Sequence, residues 1–334
     1  MLTVTTFQLE NVMTNVVQPI RSALARLWSV DKPLTGVGLL MLGALAASLA
    51  GLVLDPRTIT GAPAWLKPSK FAISTAIYSF TMAWVFSYLA SWPRVRRIVG
   101  WTTASVFVLE VAIIDAQAWR GTTSHFNAST PVDMALFATM GTAIVAQTLV
   151  SILVAIALWR ERFASQALGW ALRLGMVITI VGAASGGLMT RPTAAQLAEV
   201  RATGRMPAAG SHTVGAPDGG PGLPGTGWSR EHGDLRAPHF IGLHALQVLP
   251  LIAFAIGRLI SGERRRVRLV LVSAASYVGL FAILMWQALR GQSLIAPDTT
   301  TVVALVAWLV ATGAAALSAF GVPGLTGRWT AATA

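Results

Sequence analysis

A carboxylate, an amide and a guanidinium share one face of a predicted helix. Glu110 and Gln117 are seven residues apart and Gln117 and Arg120 are three apart, which places their side chains along one stripe of an α-helix. A guanidinium binds carboxylates and phosphates through paired hydrogen bonds. An ionisable group inside a membrane is costly unless it is paired or faces water, which makes it a functional candidate. The stripe predicts an anion-binding group at Gln117 and Arg120, with Glu110 as a proton-coupling residue. Asp115 points elsewhere on the helix and is a second candidate for proton coupling.

The segment that ends this stripe is nearly repeated later in the chain. Residues 117–121 read QAWRG and residues 287–291 read QALRG. Lys70-Phe71 corresponds in the same order to His239-Phe240, and Asp133 to Asp298. Duplicated membrane proteins usually bind their ligands between the two copies. The pattern therefore predicts a substrate-binding set shared by two repeats: Gln117, Arg120, Gln287, Arg290, Lys70 and Gln247.

Three histidines lie within or beside the apolar segments. His125 follows the first pentapeptide, and His239 and His244 begin a later apolar segment. The latter two are five residues apart and diverge by about 140° around a helix, so they do not form a side-by-side pair. Neutral imidazole is nevertheless a common metal ligand. Any of the three residues is an alternative candidate for holding haem or a metal ion.

The composition of the chain indicates an integral membrane protein. Hydrophobic residues make up 54% of it and charged residues 11%, with a mean hydropathy of +0.64, whereas about 25% of a soluble domain is charged. The absence of cysteine removes disulfides and thiolate chemistry from consideration. The net charge of +12 comes mainly from arginines in short loops, which favours contact with anionic lipid and argues against nucleic-acid binding.

Eight segments are long enough to cross about 30 Å of hydrocarbon. They predict an all-α polytopic membrane protein with transmembrane helices at 35–54, 70–92, 98–119, 134–159, 168–189, 239–260, 267–289 and 300–320. Residues 1–34 precede them as an amphipathic segment, with a helix near 7–28 expected on the membrane surface.

The spans group into two parallel four-helix repeats, 35–160 and 161–330. Because each repeat has an even number of spans, both copies cross the membrane in the same direction. Positive residues concentrate in alternate loops, as at Arg94, Arg96 and Arg97, which places both termini in the cytoplasm and the protein in the plasma (inner) membrane. The long loop 190–237 is rich in Gly and Pro and is predicted to be an irregular extracytoplasmic cap.

Two hypotheses of function follow. The first is a protein that binds or transports a small polar, anionic solute at a site near the extracytoplasmic face, between the repeats. The second is a membrane redox enzyme or cytochrome-like protein with haem or metal at His125, His239 or His244. Phosphate-binding glycine loops, acyl-transfer elbows and zinc-protease motifs are all missing from the sequence. The sequence alone does not decide whether the protein is an enzyme.

Overall fold

The computed structural model describes residues 17–320 and is predominantly helical. The chain divides into two compact units, with the boundary between Ala157 and Leu158. We refer to residues 17–157 as unit 1 and to residues 158–320 as unit 2.

Within residues 17–157, unit 1 consists mainly of helices joined by short connections. The helices are α1 (Gln18–Val30), α2 (Lys32–Leu54), α3 (Leu66–Phe86), α4 (Pro93–Trp119) and α5 (Pro131–Arg160), the last of which ends in unit 2. Between α2 and α3, the two-residue strands β1 (Thr58–Ile59) and β2 (Ala62–Pro63) pair antiparallel.

Prolines and an aspartate stabilise the N-termini of helices in unit 1. Pro93 and Pro131 open α4 and α5, at a position where the missing N–H breaks no helical hydrogen bond. Asp31 caps α2 by accepting a hydrogen bond from Leu34 N at 2.9 Å. A Cβ at Gly100 would lie only 3.0 Å from Asp31 Oδ1, so the absence of a side chain there makes room for this carboxylate. The starts of α2 and α4 therefore lie side by side.

The core of unit 1 joins four helices. It contains Val37 and Met41 from α2, Ala76 from α3, and Phe107 and Val111 from α4, with Ala143 and Ile144 from α5 packed against it. Helix α3 also carries hydroxyl groups into this environment. Those of Ser69, Thr75 and Ser79 donate to carbonyl oxygens of α3 itself, which satisfies them without a partner on another helix.

Within residues 158–320, unit 2 has a long connection before its second spanning segment. Its helices are α6 (Gln166–Ser185), α7 (Ala194–Thr203), α8 (Arg236–Leu243), α9 (Ala245–Leu259), α10 (Glu263–Leu289) and α11 (Thr299–Phe320), and a 3₁₀ turn at Gly186–Leu188 follows α6. Strands β3 (Thr213–Val214) and β4 (Gly233–Asp234) pair antiparallel. Small side chains line much of the core, including Ala167, Ala171, Ala245, Ala253 and Ala274, as expected for closely packed membrane helices.

Six of the described helices are long and apolar enough to cross a membrane: α2, α4, α5, α6 with its 3₁₀ turn, α10 and α11. The bent pair α8 and α9 makes a seventh if it counts as one span. These helices are compatible with an integral membrane protein. Helix α3 covers much of the predicted span 70–92 but ends at Phe86 and is not among the six. The reason is its composition, since it carries two lysines and five serines or threonines. The eight spans and the two repeats remain predictions.

The predicted span 239–260 is broken. Helices α8 and α9 meet at His244 with a bend of 51°. Thr179 of α6 bridges the break, because its hydroxyl donates to Leu243 O at 3.3 Å and accepts from Leu246 N at 3.1 Å. Tyr277 OH donates to Ile241 O. Side chains from α6 and α10 thus satisfy backbone groups that a continuous helix would have paired internally.

The loop 190–237 is more structured than the predicted irregular cap. Helix α7 begins with a capping box formed by Thr193 and Gln196. Asp218 accepts hydrogen bonds from the backbone of His212 and Thr213. The remaining connections are largely turns, consistent with the Gly and Pro content.

The predicted surface helix is only partly within the described residues. Helix α1 covers 18–30 and has no buried residue, whereas positions 7–16 lie outside the described part of the chain.

Candidate functional site

Gln117 and Arg120 close α4 and bind the start of α5. Gln117 Nε2 donates to Asp133 Oδ1 at 2.9 Å and to Thr123 O at 3.3 Å. Arg120 Nη1 donates to Asp133 Oδ1 at 2.7 Å and to the side-chain oxygen of Gln117. Thr130 Oγ1 donates to Asp133 Oδ2 at 2.6 Å. The guanidinium predicted to bind an anion is therefore paired with a carboxylate of the protein.

Gln287 and Arg290 close α10 in the same manner. Gln287 Nε2 donates to Ser293 O at 2.7 Å, and Arg290 pairs with Asp298. The hydrogen bond from Arg290 is the main cause that holds the pKa of Asp298 well below its usual range, followed by the bond from Thr301 N.

Both pentapeptides end their helices with a left-handed glycine. Gly121 and Gly291 have φ of +72°, a conformation that favours glycine. Gly121 N bonds to Ala118 O and Thr122 N to Gln117 O, and Ala288 and Gln287 play the same parts in unit 2. This is the Schellman arrangement. The near-repeat in the sequence thus has a structural role in each unit.

Glu110 and His125 meet inside unit 1. Glu110 Oε1 lies 3.5 Å from His125 Nε2, the carboxylate side chain is 2% exposed, and Glu110 Oε2 has no hydrogen-bond partner among residues 17–320. The sequence assigned these two residues to different hypotheses and placed His125 beyond the end of α4. In the structure, the loop after α4 folds back along the helix, so that His125 contacts α4 about two turns before the end of that helix.

Aromatic side chains and a lysine surround this pair. The His125 ring lies 5.6 Å from that of Phe71, 6.2 Å from Phe126 and 6.3 Å from Phe137, measured between centroids. Lys67 Nζ lies 5.8 Å from the Phe71 ring centroid and interacts electrostatically with Glu110. Sequence reasoning missed Lys67. Its position one turn before Lys70 on a helix could have indicated it.

Lys70 and Asp115 are both partly buried. Asp115 Oδ1 is buried without a hydrogen-bond partner among the described residues. The roles predicted for Lys70 and Asp115 rest on the sequence.

Of the two predicted ligand histidines in unit 2, His239 lies in α8 and His244 lies at the break between α8 and α9. His239 Nδ1 is 2.8 Å from Gly182 O, and because a carbonyl oxygen only accepts, the ring nitrogen must donate. In the neutral ring, Nε2 then carries the lone pair. The His244 ring packs against that of Phe240 at an interplanar angle of 56°, with centroids 4.3 Å apart. Gln247 Oε1 is buried and has no partner within residues 17–320.

Sequence reasoning gave no weight to His212 and His232, the two histidines of loop 190–237. His212 Nδ1 nonetheless lies 2.7 Å from Asp218 Oδ2. Burial raises the pKa of Asp218, but the bonds from His212 and Thr213 outweigh it and hold the pKa below its usual range. Asp234, 3% exposed, pairs with Arg236 and accepts from Ser229 N at 2.7 Å. These carboxylates organise the loop.

Within residues 17–320, no group of three or more His, Asp or Glu side chains is placed to hold a metal ion. Compared with known proteins, the chain matches no sequence family, no curated protein and no solved structure. The function has to be argued from the site itself.

Proposed function

We propose that this protein binds or transports a small anionic solute at the Gln117 end of unit 1, with Glu110 exchanging a proton as the solute binds. The observation that carries the proposal is the burial of Glu110 beside His125, with one carboxylate oxygen that has no hydrogen-bond partner in the described part of the chain. A carboxylate in an apolar helix is costly unless it is protonated, paired or hydrated. Binding of a charged solute near Glu110 changes the balance between its protonated and ionised forms, which couples binding of the solute to uptake or release of a proton.

Three side chains supply positive charge for the solute. Lys67 and Lys70 lie one turn apart on α3, and His125 becomes cationic when protonated. Arg120 is paired with Asp133, so we assign it and Gln117 to holding the rim of the site rather than to direct contact. Unit 2 contains Gln247, Gln287 and Arg290, and their part in solute binding remains a prediction of the sequence.

A thermal-shift screen tests the anion site. The full chain in mild detergent is heated with millimolar inorganic phosphate, succinate or glutamate, with chloride as the reference salt. At least one anion should raise the melting temperature, and Lys67→Gln and His125→Asn should reduce the shift. Thr139→Val, an exposed position on α5, should leave it unchanged. If no anion shifts the melting temperature, or if both variants behave as the wild type, the proposed site is wrong.

Proton coupling has its own test. The apparent affinity for the anion that shifts the melting temperature is measured between pH 5 and 8 in the wild type and in Glu110→Gln. The variant should lose part of the pH dependence that the wild type shows, and protonation of His125 accounts for the part that remains. An identical pH profile in both proteins would remove Glu110 from the mechanism.

The proposal includes a topology in the plasma (inner) membrane with both termini in the cytoplasm. It rests on the positive loops of the sequence, which would place the Gln117 end of unit 1 outside. The chain has no cysteine, so single cysteines at Thr122 and at Arg97 can be labelled in intact cells with an impermeant maleimide. Labelling of the first and not the second supports this orientation, and the reverse contradicts it.

One observation favours the redox alternative. His239 donates from Nδ1 to Gly182 O, which orients the ring and leaves Nε2 as the ligating atom, as metal-binding histidines commonly do. Gly186 lies against this ring, where a Cβ would approach His239 Cε1 to 3.1 Å. An optical spectrum and metal analysis of the purified protein decide the matter. A Soret band lost in His239→Ala supports haem at this residue, and a colourless, metal-free protein rejects it.

A further inference from the structure

Helix α4 carries a polar residue at every seventh position. Arg96, Thr103, Glu110 and Gln117 are spaced at close to two helical turns, so they share one face. Each step rises about 10 Å and the whole set about 31 Å, which is close to the thickness of the hydrocarbon layer. The series joins the Asp31 end of unit 1 to the Gln117 end.

This polar face is buried and incompletely hydrogen-bonded. Thr103 is 0%, Glu110 2% and Gln117 0% exposed. Thr103 Oγ1, Glu110 Oε2 and Arg96 Nε are buried without hydrogen-bond partners among residues 17–320. Buried polar atoms in folded proteins are nearly always satisfied, by protein groups or by water.

Helix α5 adds an amide to the same unit. Gln147 is 7% exposed, and its side chain interacts with Tyr78, but neither its Nε2 nor its Oε1 has a hydrogen bond of normal geometry within the described residues. One turn further along, Ser151 Oγ lies 3.4 Å from Tyr78 OH of α3.

Contacts along α4 and α5 place Gln147 level with Thr103. Gln117 bonds to Asp133, Ile113 packs with Met140, and Ile144 packs against the cluster that contains Phe107. The two helices are therefore antiparallel, and continuing this register by one turn beyond Phe107 brings Thr103 to the height of Gln147.

We propose that unit 1 contains a narrow water-filled column along this face of α4, through which protons reach Glu110 from the Asp31 end. The steps of about 10 Å are too long for direct transfer between side chains, so the side chains serve to hydrogen-bond a chain of water molecules. Only protons move along the water chain, and no other covalent bond forms or breaks. Each proton that enters the column at one end is matched by a proton released at the other end. The column depends on the proposed function in one respect only, which is that Glu110 is the group that binds the proton.

Among residues 17–320, two charged or titratable groups are seen to interact with Glu110 and could compete for the proton. They are Lys67 from α3 and His125 from the loop after α4. Helix α2 carries only Lys32, at its start, and Asp133 on α5 is already paired with Arg120. The ends of the column are marked by Asp31 with Arg96 and by Asp133 with Arg120.

Proton flux through the purified full chain in liposomes tests the column. A potassium gradient with valinomycin sets the potential, and a pH-sensitive dye inside reports proton entry. Wild-type flux should exceed that of empty liposomes at least tenfold, and Thr103→Val and Gln147→Leu should each lower it about tenfold. Thr139→Val removes a hydroxyl from an exposed position on α5 and should leave the flux unchanged. Wild-type flux equal to that of empty liposomes, or full flux in both column variants, overturns the column.

Single cysteines provide a second test of the column. This test does not measure proton flux and does not replace a polar side chain with an apolar one. In this cysteine-free chain, Thr103→Cys and Gln147→Cys should react with Ag⁺ in the folded protein, because thiolates form only where water enters. Thr139 lies on the surface of α5 within the predicted span 134–159 and is expected to face lipid, so Thr139→Cys should react at least tenfold more slowly. Equal, slow reaction at all three positions overturns the column. Thr103 and Gln147 are not part of the anion site. If anions still raise the melting temperature while the column tests fail, the column is wrong and the proposed anion site is not affected.

Discussion

Glu110 Oε1 and His125 Nε2 lie 3.5 Å apart, joining the interior of α4 to the loop that follows it. This contact brings together a carboxylate and an imidazole that can share a proton. It also explains why His125 turns back toward the helix rather than pointing away from the end of α4.

A double-mutant cycle should detect coupling between these two residues. Glu110→Gln and His125→Asn should show an interaction free energy of about 0.5–3 kcal/mol in unfolding measurements, the range for residues in direct contact. A cycle between Glu110→Gln and Thr139→Val provides the control and should give a value near zero. Additive effects in the first cycle would show that the contact contributes nothing.

The helix-closing glutamines should differ in their contribution to stability. Gln117 donates to both Asp133 and Thr123 O, whereas Gln287 donates to Ser293 O. Gln117→Leu should therefore lower the free energy of unfolding by about 1–3 kcal/mol, and Gln287→Leu by less. Denaturation in mixed micelles measures both, with Leu289→Ala, at an exposed position, as the control. A larger loss for Gln287→Leu would contradict this ranking.

Close contact between α6 and α8 depends on two glycines. A Cβ on Gly182 would lie 2.4 Å from Gly242 C, and a Cβ on Gly242 would lie 2.5 Å from Gly182 Cα. Either Ala substitution should cost about 1–3 kcal/mol or more, because the backbones must separate. Gly257→Ala meets no atom within 4 Å and should be neutral or stabilising by up to about 1 kcal/mol. Melting temperatures that do not separate these variants would refute the close packing.

The capping carboxylate Asp31 should make stability depend on pH. Burial raises the pKa of Asp31, and the bond from Leu34 N and the charge of Arg96 only partly oppose this. A carboxyl group with a raised folded pKa stabilises the protein below its unfolded pKa of about 3.9, and this contribution is lost as the pH rises through the folded pKa.

Asp31→Asn should consequently raise the melting temperature at pH 7 and lose this advantage near pH 4, because asparagine caps helices as well as aspartate does. Asp31→Ala should lower stability by about 1 kcal/mol through loss of the cap. Melting curves of the three proteins at both pH values test the sign. A lower melting temperature for Asp31→Asn at pH 7 would show that attraction to Arg96 outweighs burial.

Asp218 should control the accessibility of loop 190–237 to protease. It accepts bonds from Ser211, His212 and Thr213, and the loop carries arginines at which trypsin cleaves, such as Arg205 and Arg230. Asp218→Asn should increase the rate of tryptic cleavage several-fold, since opening of the loop becomes easier. Glu199→Gln, on an exposed face of α7, should cleave at the wild-type rate. Equal rates in all three proteins would mean that Asp218 does not hold the loop.

The sequence by itself determined the class of the protein and much of its helical content. The apolar runs 35–54 and 300–320 are long enough to predict helices that cross a membrane, and the two Arg-Gly pairs mark the ends of such runs. The sequence predicts a span at 70–92, but α3 is less apolar than the helices that qualify as spans, because its hydroxyl groups lower its hydropathy while bonding to its own backbone.

Only the tertiary structure decided which polar groups meet. Spacing placed Glu110, Gln117 and Arg120 on one stripe, but it could not show that Arg120 pairs with Asp133 or that His125 returns to Glu110, because both contacts depend on the path of a loop. The break at His244 was likewise hidden, since Thr179 and Tyr277 satisfy its backbone from other helices. Local propensities act over a few residues, whereas these contacts are selected by the packing of whole helices.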